Sequence, residues 1–167
     1  MIENLEIENL DYNTIFPYIT KPFFFVGSLG HVGILRVYDN SVNNYLIPNE
    51  AKLPDYTKFH VAYMFGKNRA WIKLGGGVKT KEGFLNGPVY SSLGISYKGS
   101  ILNEETEFEI NLSAINPLKI RILYRVNEKL GVWSKITGFN FSELVEHMVK
   151  AHLIPALTNI KKDISSH

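Results

Sequence analysis

There is no cysteine among the 167 residues of this chain. That excludes disulfides, thiolate nucleophiles and cysteine-bound metals together, and it fits a cytoplasmic setting. Nor does one sign of charge prevail. The 18 Lys and Arg stand against 16 Asp and Glu with no basic block among them, which argues against a nucleic-acid partner. Apolar runs such as Phe23 to Val26 fall far short of the roughly 20 residues that span a bilayer. The N-terminus, Met1-Ile2-Glu3-Asn4-Leu5-Glu6, is acidic and alternating where a secretory signal would be basic and then continuously apolar. Repeats, low-complexity tracts and Pro/Ser linkers are also missing. The expectation is a soluble, cytoplasmic protein with one domain over residues 1–167 and no integral membrane segment.

What the chain does have is aromatic residues, ten Phe and nine Tyr. In a small domain so many rings either fill a core tightly or line a cavity. Most of them fall in strand-like stretches. Phe59, Val61, Tyr63 and Phe65 alternate with Lys58, His60, Ala62 and Met64. Arg69 to Leu74 reads as a returning strand ended by Gly75-Gly76-Gly77. Val78 to Leu85 and Val89 to Tyr97 flank Asn86-Gly87, which reads as a hairpin turn weakened by Pro88. Thr106, Phe108, Ile110 and Leu112 face one way, with Glu105, Glu107, Glu109 and Asn111 opposite. After Asn116-Pro117, Ile120, Ile122, Tyr124 and Val126 alternate with Lys119, Arg121, Leu123 and Arg125. An acidic row can therefore lie beside a basic one, each pair contributing roughly 0.2–1 kcal/mol. Upstream, Ile2, Leu5 and Ile7 make a first short strand. Asp11 or Asn13 caps a short helix that tolerates Pro17 only in its first turn, and Pro22 opens a second. His31 to Tyr38 has branched residues that favour a strand and Gly33 that interrupts one, and Asp39 to Pro54 is mostly loop around a Tyr45-Leu46-Ile47 edge strand.

The C-terminal stretch changes period. Asn140 and Glu143 have capping-box spacing. Phe141, Leu144, Val145, Met148, Val149 and His152 recur at the three-and-four spacing of one helix face. Pro155 stands inside this helix, where it removes a backbone hydrogen bond and costs about 3 kcal/mol unless the axis adjusts. A kink there would leave space beneath the helix.

A strand, two short helices, an antiparallel meander and a long terminal helix form an α+β order that resembles the helix-grip fold of the START and birch-pollen-allergen (SRPBCC) superfamily. The resemblance rests on element order over nearly the whole chain. It implies a curved antiparallel sheet wrapped around the C-terminal helix, with the two short N-terminal helices at the mouth of a cavity. On that placement Phe23, Phe24 and Phe25 are expected at the mouth, since one short helical turn cannot turn all three inward.

Several motifs carry no chemistry. Gly75-Gly76-Gly77-Val78-Lys79-Thr80 lacks the Gly directly before Lys and the following helix of a phosphate loop. Glu105, Glu107 and Glu109 fall on the solvent face, where carboxylates keep ordinary acidity. No Gly-x-Ser-x-Gly elbow appears. Among the five histidines, His147 and His152 are five residues apart, about 140° on an α-helix, so no metal site is expected. No cofactor is expected either.

The pattern points instead to binding of an apolar small molecule, such as a fatty acid, lipid or polycyclic compound, in a cavity of about 300 Å³ or more between sheet and helix. Strand and helix phases turn Tyr63, Tyr97, Phe108, Tyr124, Met148 and His152 inward as its wall, with Trp71 and Trp133 less determined. His152, alone and polar on the apolar face, either bonds a core partner or meets the ligand's acidic head. Two alternatives stand beside this reading. One is a cyclase- or aromatase-like enzyme using a cavity His or Tyr; the other is a protein-interaction module with a filled core. The partner implied is a hydrophobic small molecule, with a homodimer also allowed.

Overall fold

A computed structural model describes residues 1–47, 57–65, 79–103, 105–129 and 140–165. The expected strand Arg69 to Leu74, the triple glycine, Trp71 and Trp133 lie outside these residues. Among the described residues, eight strands form one antiparallel sheet: β1 (Ile2–Glu8), β2 (Val32–Asp39), β3 (Asn44–Leu46), β4 (Thr57–Phe65), β5 (Lys79–Ser91), β6 (Gly94–Ile101), β7 (Thr106–Asn116) and β8 (Lys119–Glu128). Their spatial order is β1-β8-β7-β6-β5-β4-β2-β3. Two short helices, α1 (Tyr12–Ile19) and α2 (Pro22–Ser28), connect β1 to β2. The chain ends in a long helix on the sheet, as expected for an α+β protein.

Alternation decides the faces. In β4, Thr57, Phe59, Val61, Tyr63 and Phe65 are buried while Lys58 is exposed. Phe108, Ile110 and Leu112 of β7 and Ile120, Ile122, Tyr124 and Val126 of β8 supply most of the remaining inner face. In the His31 to Tyr38 stretch the branched residues prevail, and Gly33 pairs with Ala62 inside β2. The irregularity falls instead between Ile34 and Arg36, where the register shifts by one residue.

Three expectations change. Asn86-Gly87 is not a turn: β5 continues through it to Ser91, with a register shift between Asn86 and Val89, and the chain reverses at Ser92-Leu93. The glycine is required by packing, because a Cβ at Gly87 would lie 2.5 Å from the Tyr97 ring. The basic row of β8 is shared between two neighbours. Arg125 faces Glu109, but Lys119 and Arg121 reach β1, where Lys119 Nζ is 3.0 Å from Glu6 and Arg121 3.7 Å from the same carboxylate. Pro17 sits in the second turn of α1, on an exposed side. The Asp11 carboxylate caps this helix, accepting from Asn13 N at 2.9 Å.

The terminal helix starts at Phe141 for two reasons. Asn140 accepts from the backbone N–H groups of Ser142 and Glu143. Glu128, at the end of β8, accepts from Phe141 N at 2.8 Å and Ser142 N at 3.2 Å. A carboxylate there satisfies donors that have no helical partner and complements the helix dipole. The helix is α over α3 (Phe141–His147), π over Met148–Leu153, and α again over α4 (Ile154–Ser165). Ile154 N–H bonds Val149 C=O, five residues back. The widened turn abuts Pro155, which has no N–H to offer the carbonyl four residues behind it.

Phe141 anchors this helix. Its ring lies 5.2 Å from Tyr63, 5.5 Å from Phe108 and 5.9 Å from Phe65, centroid to centroid. Phe141→Ala would remove this hub and is expected to lower the unfolding free energy by about 3–5 kcal/mol, read from urea denaturation. A loss below about 1 kcal/mol would mean that the helix does not depend on this contact.

Candidate functional site

The expected wall residues are brought together only in part. Tyr63, Phe108 and Phe141 form one ring cluster, in which Tyr63 and Phe108 are 5.9 Å apart. Tyr63 donates its hydroxyl to Phe84 C=O at 2.6 Å. Tyr97 belongs to another layer, beneath the short helices. Its ring stacks on Phe25 at 3.7 Å and nearly parallel, and its hydroxyl donates to Ile19 C=O at 2.7 Å. Phe25 is therefore wholly buried. Phe23 packs edge-on to Phe59 and Phe24 tilts against Tyr18, both half-buried. Met148 and Tyr124 are buried where the helix crosses the sheet, and the Tyr124 hydroxyl is an enclosed polar atom with no hydrogen-bond partner.

Burial pushes the phenols of Tyr63, Tyr97 and Tyr124 up from the usual tyrosine range. They are thus donors, not bases, at neutral pH. Between sheet and helix, Tyr63, Phe65, Phe108 and Phe141 pack ring against ring. A cavity of about 370 Å³ lies on the opposite, outer face, where Asn86, Lys98, Glu109 and Arg125 follow one another across four strands.

His152 lies elsewhere than at that ring cluster. It is partly buried, its Nε2 is enclosed without a hydrogen-bond partner, and it is one corner of a triangle of histidines. Ring centroids are 4.8 Å apart for His31 and His147, 5.0 Å for His31 and His152, and 5.0 Å for His147 and His152. The 140° separation expected from the five-residue spacing does not hold, because the π turn lies between the two helical histidines. One inserted residue makes five positions the angular equivalent of about four α-helical steps, and the rings fall on one side. Sequence reasoning missed this; Pro155 was the available signal.

His31 completes the triangle from the turn between α2 and β2. Its Nδ1 lies 3.0 Å from Met64 C=O. A carbonyl only accepts, so in the neutral ring Nδ1 carries the proton and Nε2 keeps its lone pair. That Nε2 is 3.1 Å from His147 Nε2. Gly30 makes the close approach possible. Its φ is +79°, and a Cβ there would stand 2.7 Å from the His152 ring. Burial first, and then the neighbouring His31 and His147, hold the His152 pKa below the ordinary histidine value.

No protein-family model and no curated protein matches this chain. Among solved structures it is similar to the Zhui aromatase/cyclase of a Streptomyces species, with a TM-score of 0.51 and 8% identity over 98% of this chain and 96% of that one. The chain has a helix-grip fold. At that identity the likeness establishes the path of the backbone and carries no residue roles across. Among the described residues no helix is long and apolar enough to cross a membrane.

Gly30→Ala is expected to lower Tm and to move the His152 ring resonances in NMR spectra, since it adds both a clash and backbone strain of about 1–2 kcal/mol. Gly27→Ala is the matched control. It lies within α2 with open space around it, so Ala there should stabilise by about 0.5–1 kcal/mol. Equal behaviour of the two variants would contradict the packing assigned to Gly30.

Proposed function

We propose that this protein binds an apolar small molecule with an acidic end, the apolar part taken up between sheet and terminal helix and the polar end at His152. The observation that carries this reading is the His152 imidazole, whose Nε2 is enclosed without a partner beside the helix–sheet interface. A buried polar atom left unpaired costs about 1–3 kcal/mol, which a ligand acceptor or donor recovers. An imidazolium facing a carboxylate makes a charge-assisted bond stronger than a neutral one.

The described rings touch one another, so a ligand entering among them displaces some of these contacts. Each ring pair is worth about 0.5–1.5 kcal/mol beyond its buried area, within reach of a ligand that buries comparable surface. The helix-grip fold, shared with an aromatase/cyclase, supports a small-molecule reading in general. Burial raises all three of those phenols above the usual tyrosine range, so none of them serves as a base at neutral pH.

Mass spectrometry of the organic extract of purified protein is expected to find a small carboxylic acid with an apolar body in stoichiometric amount. His152→Leu keeps the apolar volume and removes the ring nitrogens. It should weaken binding of a long-chain fatty acid at least tenfold and leave the methyl ester nearly unchanged, measured by displacement of a fluorescent fatty acid. Equal loss for acid and ester would leave His152 as a packing residue and overturn its assigned role.

A further inference from the structure

We propose that His31, His147 and His152 together bind a divalent transition-metal ion of the zinc class through three imidazole nitrogens. Their candidate ligand atoms all lie within 4.8 Å of one another, and the group contains no carboxylate. In a tetrahedral zinc site with Zn–N bonds of about 2.0–2.1 Å, ligand nitrogens are about 3.3 Å apart. The Nε2 atoms of His31 and His147 are already 3.1 Å apart. The wider separations close by small ring rotations, which the exposed His147 and partly buried His152 can make.

The donor set selects the class of ion. Three neutral imidazoles suit zinc, cobalt, nickel and copper, whereas magnesium and calcium require oxygen ligands. The surroundings fit such a centre. The His31 Nδ1–H bond to Met64 C=O fixes the ring orientation and directs the Nε2 lone pair away from the backbone, as outer partners of metal-bound histidines do. Gly30 lets the backbone close on the His152 ring. The π turn between His147 and His152 puts both rings on one side of the helix. Two of these devices lie at Gly30-His31 and the third in the terminal helix, more than a hundred residues on, and they converge on one point.

A hydrogen bond from His147 Nε2–H to His31 Nε2 would account for that pair without an ion. It leaves the enclosed His152 Nε2 without a partner and gives no reason for a third ring at the same distance from both. Three protein ligands leave a tetrahedral ion one position for water or a carboxylate. Both readings draw on the His152 ring, neutral when it binds an ion and protonated when it faces a carboxylate, and the metal test, which requires no organic ligand, succeeds or fails separately from the small-molecule one.

Protein dialysed against chelator, then against buffer, is titrated calorimetrically with Zn²⁺, and separately with Co²⁺ while its visible absorption is recorded. The expected result is one ion per chain, a Kd of about 10 μM or tighter, and ligand-field bands of nitrogen-bound Co²⁺. His147→Ala changes an exposed side chain and should leave the fold intact while weakening Zn²⁺ binding at least 100-fold. His31→Ala should do the same. His60→Ala, on the outer face beside Glu82, should leave binding unchanged. Absence of saturable binding to the wild type would overturn the proposal, and so would a stoichiometry and affinity untouched by His147→Ala.

Discussion

Pro155 cannot donate a backbone hydrogen bond, and the terminal helix is arranged around that fact. Its ring would collide with the carbonyl of Ala151 in a regular α-helix. The preceding turn is π, with Ile154 N–H bonded to Val149 C=O. The consequence is a phase correction. Phe141 and Ile160 are both buried, yet 19 α-helical steps would leave them about 100° apart. One inserted residue returns them to the same side. The same insertion aligns His147 with His152. A single constraint thus lets one long helix keep its apolar stripe on a curved sheet and gathers polar rings at its margin.

The start of that helix is set by the sheet. Glu128 closes β8 and places its carboxylate on the first two helical N–H groups, so the last strand and the helix meet at a fixed point. Phe141 then enters between β4 and β7 through Tyr63, Phe65 and Phe108. The other end of the interface is covered by α2, whose Phe25 stacks on Tyr97. The described inner face is therefore two ring layers, and the histidine triangle lies where α2 and β2 approach the π turn.

The element order and the inward residues of β4, β7 and β8 were legible in the sequence, because a half-buried antiparallel strand shows a period of two and an apolar helix a period near 3.6. Asn86-Gly87 misled for a physical reason. The pair favours a turn locally, but Gly87 meets the need of a ring for space across the sheet, which no local pattern encodes. The charge rows of β7 and β8 were visible as rows, but not that β1 would take Lys119 and Arg121. The site was least legible. His31 is 116 positions from His147, and the helical pair was dismissed on α-helical geometry while Pro155, the reason that geometry fails, stood three residues beyond His152.

The central claim is that the π turn brings the histidines of the helix to one point with His31. Nuclear Overhauser contacts between imidazole ring protons of the free protein at neutral pH test it directly. The account predicts ring-to-ring contacts for all three pairs, consistent with centroid separations of 4.8 to 5.0 Å. A contact between His31 and His147 alone, with His152 remote from both, would contradict it.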